Sequence, residues 1–279
     1  MIDLCHLKNQ NGAIILLDQE KAYDKIKHDY LWHTLEATSL PTKSLYANAS
    51  TRVILNGHIS ENFTVERGMQ QGDPLSCLLF NFAIEPLSHL IRPSTQIKGL
   101  SINVPDATHR VTLSLFANNA AIFLAEDNSP ETLFNLLDKW CLASGAKFNK
   151  NKTVIIPVGS PDYRKSISES QKMNPSSNLP FDNSIHILRD SESTRYLGTQ
   201  IGNEISGNEP WPKIIDDIEV SLNLWQKAFP SIKGRKHIIQ MVIGSKTQFI
   251  MAAQGMPSKY EDYLNKRIQS FLWNSDAPP

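Results

Sequence analysis

Residues 112–124 read TLSLFANNAAIFL and place the polar pair Asn118-Asn119 between two apolar runs. This pattern predicts a strand, a tight turn and a second strand. Because asparagine tolerates left-handed backbone, the pair can serve simply as a hairpin turn. The stretch therefore predicts a β-hairpin, and any chemical role for the two asparagines has to be argued from other parts of the chain.

A second strand is predicted near the N-terminus, where residues 13–17 are apolar without interruption. Such a run is typical of a strand that is buried on both faces. Asp18 follows the run, and its carboxylate could either lie at the edge of a cleft or cap the next helix. Tyr23 suits a binding site and a hydrophobic core equally well, so the residues alone leave both roles open.

Residues 68–74 read GMQQGDP and predict a glycine loop that leads into a helix. Gly68 and Gly72 allow positive φ or a close approach of another backbone segment. Asp73 and Pro74 form a helix start, with a capping side chain and a first-turn proline. A loop entering a core helix is expected here whatever the function.

The composition describes an ordinary globular chain of 279 residues with zero formal net charge. Zero charge argues weakly against a nucleic-acid-binding protein, since phosphate binding usually needs basic excess. No apolar run approaches the roughly 18 residues of a membrane span, and the N-terminus does not read as a signal peptide. Cys5, Cys77 and Cys141 are widely spaced and suggest no metal site or disulfide framework. We expect no membrane association and an intracellular location, in cytoplasm or nucleus.

Charge is nevertheless uneven, because residues 220–260 contain no Asp or Glu. The cationic residues of this segment are Lys227, Lys233, Arg235, Lys236, Lys246 and Lys259. A solvated helix face explains such a segment as readily as a nucleic-acid-binding surface does.

The other segments give a coarse architecture. Residues 30–35 and 46–49 are expected to be helical, and residues 157–194, rich in proline and serine, read as a long loop or linker. The last part of the chain is expected to be helical, with Ile238, Val242, Ser245 and Phe249 forming one apolar stripe.

Three motifs in this order resemble the reverse transcriptase of LINE-type non-LTR retrotransposons. They are AIILLDQEKAYDKI at residues 13–26, RGMQQGDPLSCLLFN at residues 67–81, and the FANN turn at residues 116–119. YLG at residues 196–198 and FLW at residues 271–273 also match the family pattern. The resemblance covers roughly residues 13–275.

The resemblance implies an α+β fold. We expect a palm over residues 1–156, built from an antiparallel sheet with packed helices. A loop or linker over residues 157–194 would follow, and then a hairpin and a helical, thumb-like region over residues 195–279. Because few residues precede the first motif, we expect the fingers to be largely missing.

The resemblance also assigns roles to residues of this chain. Asp18 would bind Mg²⁺, while Asn118 and Asn119 stand where the family carries aspartates. Lys152 would lie near the departing pyrophosphate, and Tyr23 beneath the sugar of the nucleoside triphosphate. Gln71 and Gly72 would line the nucleotide and template side.

Losing two of three carboxylates suggests a catalytically crippled polymerase, because Mg²⁺ is held mainly by carboxylates. A remnant without activity, an active nucleotidyltransferase with unusual ligands, and a non-catalytic module that binds RNA template and DNA primer remain as alternatives. The basic residues Lys227, Lys233, Arg235, Lys236 and Lys246 would serve the last. The sequence does not indicate an oligomeric state.

Overall fold

The computed structural model describes residues 1–40, 49–104, 107–174 and 180–273. The chain divides into two units, Met1–Arg189 and Asp190–Pro279. Both contain helices and antiparallel strands, which confirms the expected α+β class. The helix expected over residues 46–49 lies outside the described residues, apart from its last position.

The first unit alternates helices and strands. In chain order its elements are α1 (Ile2–Leu7), β1 (Gly12–Asp18), α2 (Ala22–Lys25), α3 (His28–Ala37), β2 (Ser50–Thr51), β3 (Ile54–Leu55), β4 (His58–Ile59), β5 (Phe63–Thr64), α4 (Pro74–Ile91), β6 (Leu100–Val104), β7 (Ala107–Val111), β8 (Leu113–Phe116), β9 (Asn119–Ala125), α5 (Pro130–Ser144), a 3₁₀ turn (Lys150–Lys152), β10 (Val154–Val158), α6 (Pro161–Ser170) and β11 (His186–Ile187).

A five-stranded sheet with the order β11-β10-β1-β9-β8 forms the centre of this unit. Strand β1 pairs antiparallel with both β9 and β10, while the edge strand β11 runs parallel to β10. Residues 12–17 of β1 are all buried, as predicted for a strand covered on both faces. Asp18 is the last residue of β1 and is partly exposed, so the central strand places it at one end of the sheet.

The predicted hairpin is present, but its turn lies one residue earlier than expected. Phe116 pairs with Asn119, so the two-residue turn is Ala117-Asn118, and Ala117 adopts a φ of 50°. Asn119 is the first residue of β9 rather than part of the turn. The reason is the long pairing of β9 with β1, which runs from Gly12 opposite Ala125 to the last pair at Asn119.

Helix α4 begins as predicted, with the Asp73 side chain accepting a 2.9 Å hydrogen bond from the Leu75 backbone N–H. By length and composition alone this helix could cross a membrane, although polar residues such as Asn81 and Glu85 interrupt its apolar sequence. Phe80, Ala83 and Leu87 on one face are fully buried in the core of the first unit. Core packing therefore accounts for the apolar character of α4.

The expected loop or linker over residues 157–194 is wrong for the described part of that interval. It contains the end of β10, helix α6 and strand β11, and it belongs to the first unit as far as Arg189. Tyr163, Ile167 and Phe181 are buried in the main core. Pro161 starts an element here instead of breaking one, because it occupies the first turn of α6 behind the Ser160 cap.

The second unit is a hairpin followed by helices, as expected. Its elements are β12 (Thr194–Tyr196), β13 (Thr199–Ile201), α7 (Pro210–Gln226), α8 (Ile232–Ile239), a π-helical turn (Gln240–Gly244), α9 (Ser245–Gln254) and α10 (Ser258–Trp273). Ile218, Leu222 and Phe271 contribute to its small core. The π turn shifts the buried face of the following helix, so Thr247 is buried while Phe249 is 55% exposed. The predicted stripe ending at Phe249 is wrong for that reason.

Candidate active site

The candidate site begins where β1 and β9 end side by side. Asp18 lies directly opposite Asn119 in the antiparallel register. Asn118 precedes it in the turn, and all three residues are partly exposed. Asp18 and the asparagine turn therefore lie at the ends of two adjacent antiparallel strands.

Lys152 reaches the same place from the other neighbour of β1. It ends the 3₁₀ turn that precedes β10, and Asn149 at the start of that turn donates its backbone N–H to the Asp18 carbonyl at 2.8 Å. Lys152 Nζ lies 3.8 Å from Asp18 Oδ2. Because the two side chains are 69% and 33% exposed, this pair is screened by solvent and contributes little to stability.

A second charged cluster, which sequence reasoning missed, lies beside this pair. Glu20 Oε2 accepts a 2.8 Å hydrogen bond from Lys25 Nζ, and Glu20 Oε1 lies 3.1 Å from Lys147 Nζ. Hydrogen bonds from Lys25 and then Lys147 hold the pKa of the Glu20 carboxyl below its usual range. From the sequence, only the contact between Glu20 and Lys25 could have been suggested, because these two residues are close along the chain. Lys147 arrives through the pairing of distant segments.

Tyr23 packs against the core and is also partly exposed, so its role as a binding residue stays a prediction. Its ring stacks on the buried Phe80 ring, with centroids 4.8 Å apart, while its hydroxyl donates to Cys77 Sγ at 3.7 Å. Burial, followed by the hydrogen bond to Cys77, raises the pKa of the Tyr23 hydroxyl. One face of the side chain thus packs on the core, and the residue as a whole remains partly exposed.

The glycine loop is attached to the segment that carries Tyr23. Gly68 and Met69 donate their backbone N–H groups to the carbonyls of Ile26 at 2.8 Å and Tyr23 at 2.7 Å. Gly68 has a φ of 85°, and a Cβ there would lie 3.1 Å from the Asp24 backbone. Glycine is therefore required at this position.

Gln71 and Gly72 lie in the exposed turn that follows. Gly72 has a φ of 90° and open space around its α-carbon. An adjoining cavity of about 680 Å³ is lined by Asp24, Ser50, Val65, Arg67, Gln70 and Asp73. Neither Gln71 nor Gly72 makes a contact with Asp18 among the hydrogen bonds and ion pairs of the described residues.

The donor set around Asp18 does not fit a pair of Mg²⁺ ions. Two such ions carry four positive charges and need several carboxylates. Here one carboxylate faces a neutral amide at Asn119, and an ammonium group lies 3.8 Å away. No cluster of three or more His, Cys, Asp or Glu residues suited to a metal ion occurs in the described ranges.

The five basic residues singled out in the second unit divide into two groups. Lys227, Lys233 and Lys236 are exposed. Arg235 is instead engaged at the end of α10, where its Nη1 donates to the carbonyls of Phe271 at 3.3 Å and Leu272 at 3.2 Å.

Lys246 is also engaged within the protein. Its Nζ donates to the Asp217 carbonyl at 2.9 Å and to Ser221 Oγ at 3.2 Å. Both contacts lie on α7, so Lys246 joins α9 to α7. Of the five cations expected to contact nucleic acid, only the three exposed lysines therefore remain as candidates.

Comparison with known proteins defines the class. A family model described as reverse transcriptase (RNA-dependent DNA polymerase) matches residues 2–201. Since the match covers more than half of the chain, the chain belongs to the reverse transcriptase family.

Its relatives are proteins of retrotransposable elements, which confirms the LINE-type, non-LTR resemblance. The chain is 27% identical, over 97% of its length, to the transposon TX1 uncharacterized 149 kDa protein of Xenopus laevis. It is 26% identical, over 69% of its length, to the Pol polyprotein from the type-2 retrotransposable element R2DM of Drosophila melanogaster. The matches cover 20% and 18% of those proteins, so the chain spans about a fifth of the length of these relatives.

Proposed function

We propose that this chain is a reverse transcriptase domain of a non-LTR retrotransposon polyprotein that binds primer and template but no longer transfers nucleotides. The observation that carries the proposal is the register of β1 and β9, which pairs Asp18 with Asn119 instead of a second carboxylate. In this proposal the first unit is the palm and the second unit is the thumb. An intracellular location stays a prediction.

The loss of activity follows from charge rather than from shape. Asparagine has nearly the same shape as aspartate, so the hairpin packs normally while two negative charges are lost. Carboxylates at positions 18, 118 and 119 would hold divalent metal ions, which would supply Lewis-acid chemistry for nucleotidyl transfer. If the metals contribute several kcal/mol to the transition state, losing them lowers the rate at least about a hundredfold to a thousandfold.

Other residues of the site support nucleotide and template binding without replacing the missing ligands. Tyr23 offers a partly exposed ring, held by Phe80, on which a sugar could pack. Gln71 and Gly72 are exposed on the loop attached to Tyr23 and could contact the nucleotide or template. Lys152, the residue proposed to lie near the pyrophosphate, is largely exposed and lies 3.8 Å from Asp18 Oδ2.

The test is primer extension by the unmodified chain and by the double variant Asn118→Asp/Asn119→Asp. We expect no extension by the unmodified chain on an RNA template with Mg²⁺ or Mn²⁺. The double variant should recover Mg²⁺ binding in a calorimetric titration, because its two new carboxylates would join Asp18. A variant with only Asn118→Asp serves as the matched control and should bind the ion more weakly than the double variant.

Two results would argue against this function. Robust extension by the unmodified chain would show that the asparagines do not inactivate the site. Equal and weak Mg²⁺ binding by all three forms would show that these positions do not contribute metal ligands.

The binding of primer and template in this proposal is supported by a second observation, the three exposed lysines in a segment without carboxylates. Affinity for a primer–template duplex should fall steeply with salt, because counterions are released on binding. Changing Lys227, Lys233 and Lys236 to Ala should reduce the slope of log affinity against log salt by about 3. Arg235 and Lys246 are left intact, because their side chains hold the fold.

The matched control replaces three exposed lysines of the first unit by Ala. They are Lys98, Lys139 and Lys165. This control should leave the salt slope nearly unchanged. Equal effects of the two triple variants, or affinity that does not depend on salt, would show that these lysines form an ordinary solvated surface and not a nucleic-acid-binding site.

A further inference from the structure

Two segments of the first unit run side by side at the end of β1. They are residues 18–27, which follow the strand, and residues 147–152, which precede β10. The Glu20 backbone N–H donates to the Lys147 carbonyl at 2.9 Å, and the Asn149 N–H donates to the Asp18 carbonyl at 2.8 Å. An isolated bridge between Gln19 and Phe148 joins the same two segments. Side chains of both segments therefore share one surface.

That surface has an excess of positive charge. The ion pairs there join two carboxylates, Asp18 and Glu20, to three lysines, Lys25, Lys147 and Lys152. Lys150 is engaged by a carboxylate from outside the two segments, since its Nζ lies 2.8 Å from Asp182 Oδ2. Even with that carboxylate included, cations outnumber anions.

The acidic groups nearest the strand ends already have lysine partners. Asp18 is paired with Lys152, and Glu20 lies between Lys25 and Lys147. The neighbouring side chain of Asn119 brings an amide, which can donate hydrogen bonds to an anion without repelling it. With aspartates at positions 118 and 119, this site would need metal ions to bind phosphate. With asparagines there, it can bind phosphate directly.

We infer that this end of β1 binds the triphosphate group of a nucleotide without a divalent metal ion. The inference rests on the proposed loss of metal-dependent transfer and identifies what the altered site binds. Lysine ammonium groups attract phosphate as point charges, and the exposed Lys152 can turn from Asp18 towards a ligand. Because Mg²⁺ neutralises part of the triphosphate charge, the ion should weaken this binding instead of strengthening it.

The experiment is calorimetric titration of the full chain with a deoxynucleoside triphosphate, once in EDTA and once in excess Mg²⁺. The unmodified chain should bind in EDTA, and Mg²⁺ should weaken the affinity by about threefold to tenfold. In Asn118→Asp/Asn119→Asp the dependence should reverse, with affinity in EDTA about tenfold lower than in the unmodified chain and recovery on adding Mg²⁺.

Lysine variants test which charge is responsible. Lys152→Met should weaken binding in EDTA about tenfold, and Lys152→Arg should retain most of it. The matched control is Lys165→Met, which breaks a similar exposed pair, with 3.9 Å between Lys165 Nζ and Glu169 Oε1 on α6. This control should bind as tightly as the unmodified chain.

Three outcomes would overturn the inference. They are no binding in EDTA, tighter binding by the unmodified chain when Mg²⁺ is added, and displacement of the triphosphate by a short single-stranded oligonucleotide at equal phosphate concentration. None of these outcomes would indicate polymerase activity, so the inference can fail while the proposed function stands. Primer extension by the unmodified chain would instead remove the proposed function.

Discussion

Replacing Arg235 by alanine should destabilise the second unit by about 2 kcal/mol, although the sequence suggests a surface cation. Arg235 lies on α8, and its Nη1 donates to the carbonyls of Phe271 and Leu272 near the end of α10. Its Nε donates to the Pro230 carbonyl at 3.1 Å. One guanidinium therefore joins the end of α10 to the start of α8.

The magnitude follows from these contacts. Hydrogen bonds that involve a charged group contribute roughly 1.5–3 kcal/mol, and a cation at a helix C-terminus adds about 0.3–1 kcal/mol. The three bonds are 3.1–3.3 Å long and the side chain is only half-buried, so the lower part of the combined range applies. About 2 kcal/mol is a large fraction of the stability of a small unit.

Urea unfolding followed by far-UV circular dichroism would measure this effect. Lys233→Ala on the same helix is the matched control, because Lys233 is exposed, and it should change stability by less than about 0.5 kcal/mol. Arg235→Lys keeps the charge but loses the planar donor group, so it should recover only part of the loss. If Arg235→Ala were as stable as Lys233→Ala, the proposed capping of α10 would be refuted.

The remaining predictions concern the first unit. Gly12→Ala should cost about 3 kcal/mol, because the new Cβ would lie 2.3 Å from the Leu124 carbonyl oxygen in the adjacent strand; an unchanged thermal midpoint would contradict this. The bonds from Lys25 and Lys147 lower the pKa of Glu20 below its ordinary value of 4.5, so their stabilisation is complete above pH 4.5 and is lost as the pH falls through the lowered pKa. Titration of the Glu20 carboxyl by NMR would show this, Glu20→Gln should abolish that part of the acid dependence, and a midpoint at or above 4.5 would argue against it.

Much of the local structure could be predicted from neighbouring residues. The uninterrupted apolar run indicated the buried strand β1, and the Asp73-Pro74 pair located the start of α4. Two apolar runs around a polar pair indicated the β8–β9 hairpin. These predictions succeed because chain-neighbour spacing, capping side chains and proline geometry act over a few residues.

Predictions failed where distant segments decide the outcome. Residues 161–170 look like a polar loop, yet they form a helix because Tyr163 and Ile167 pack into the core. Asn119 looks like a turn residue, but its pairing with Asp18 draws it into β9. Phe249 leaves its predicted stripe because the π turn before it rotates the helix face.

The sequence by itself determined the family, the strand that carries Asp18 and the neutral asparagines at positions 118 and 119, because identity and charge are read directly from the residues. Only the tertiary structure decided that Lys152 lies beside Asp18, that Lys147 reaches Glu20 and that Arg235 holds α10. For the two lysines the physical reason is that β1 pairs with strands more than 100 residues later in the chain, and for Arg235 it is the packing of α8 against the end of α10. Short-range sequence patterns carry no information about such pairing. The pairing of the strands therefore decides which charged side chains lie together at the site.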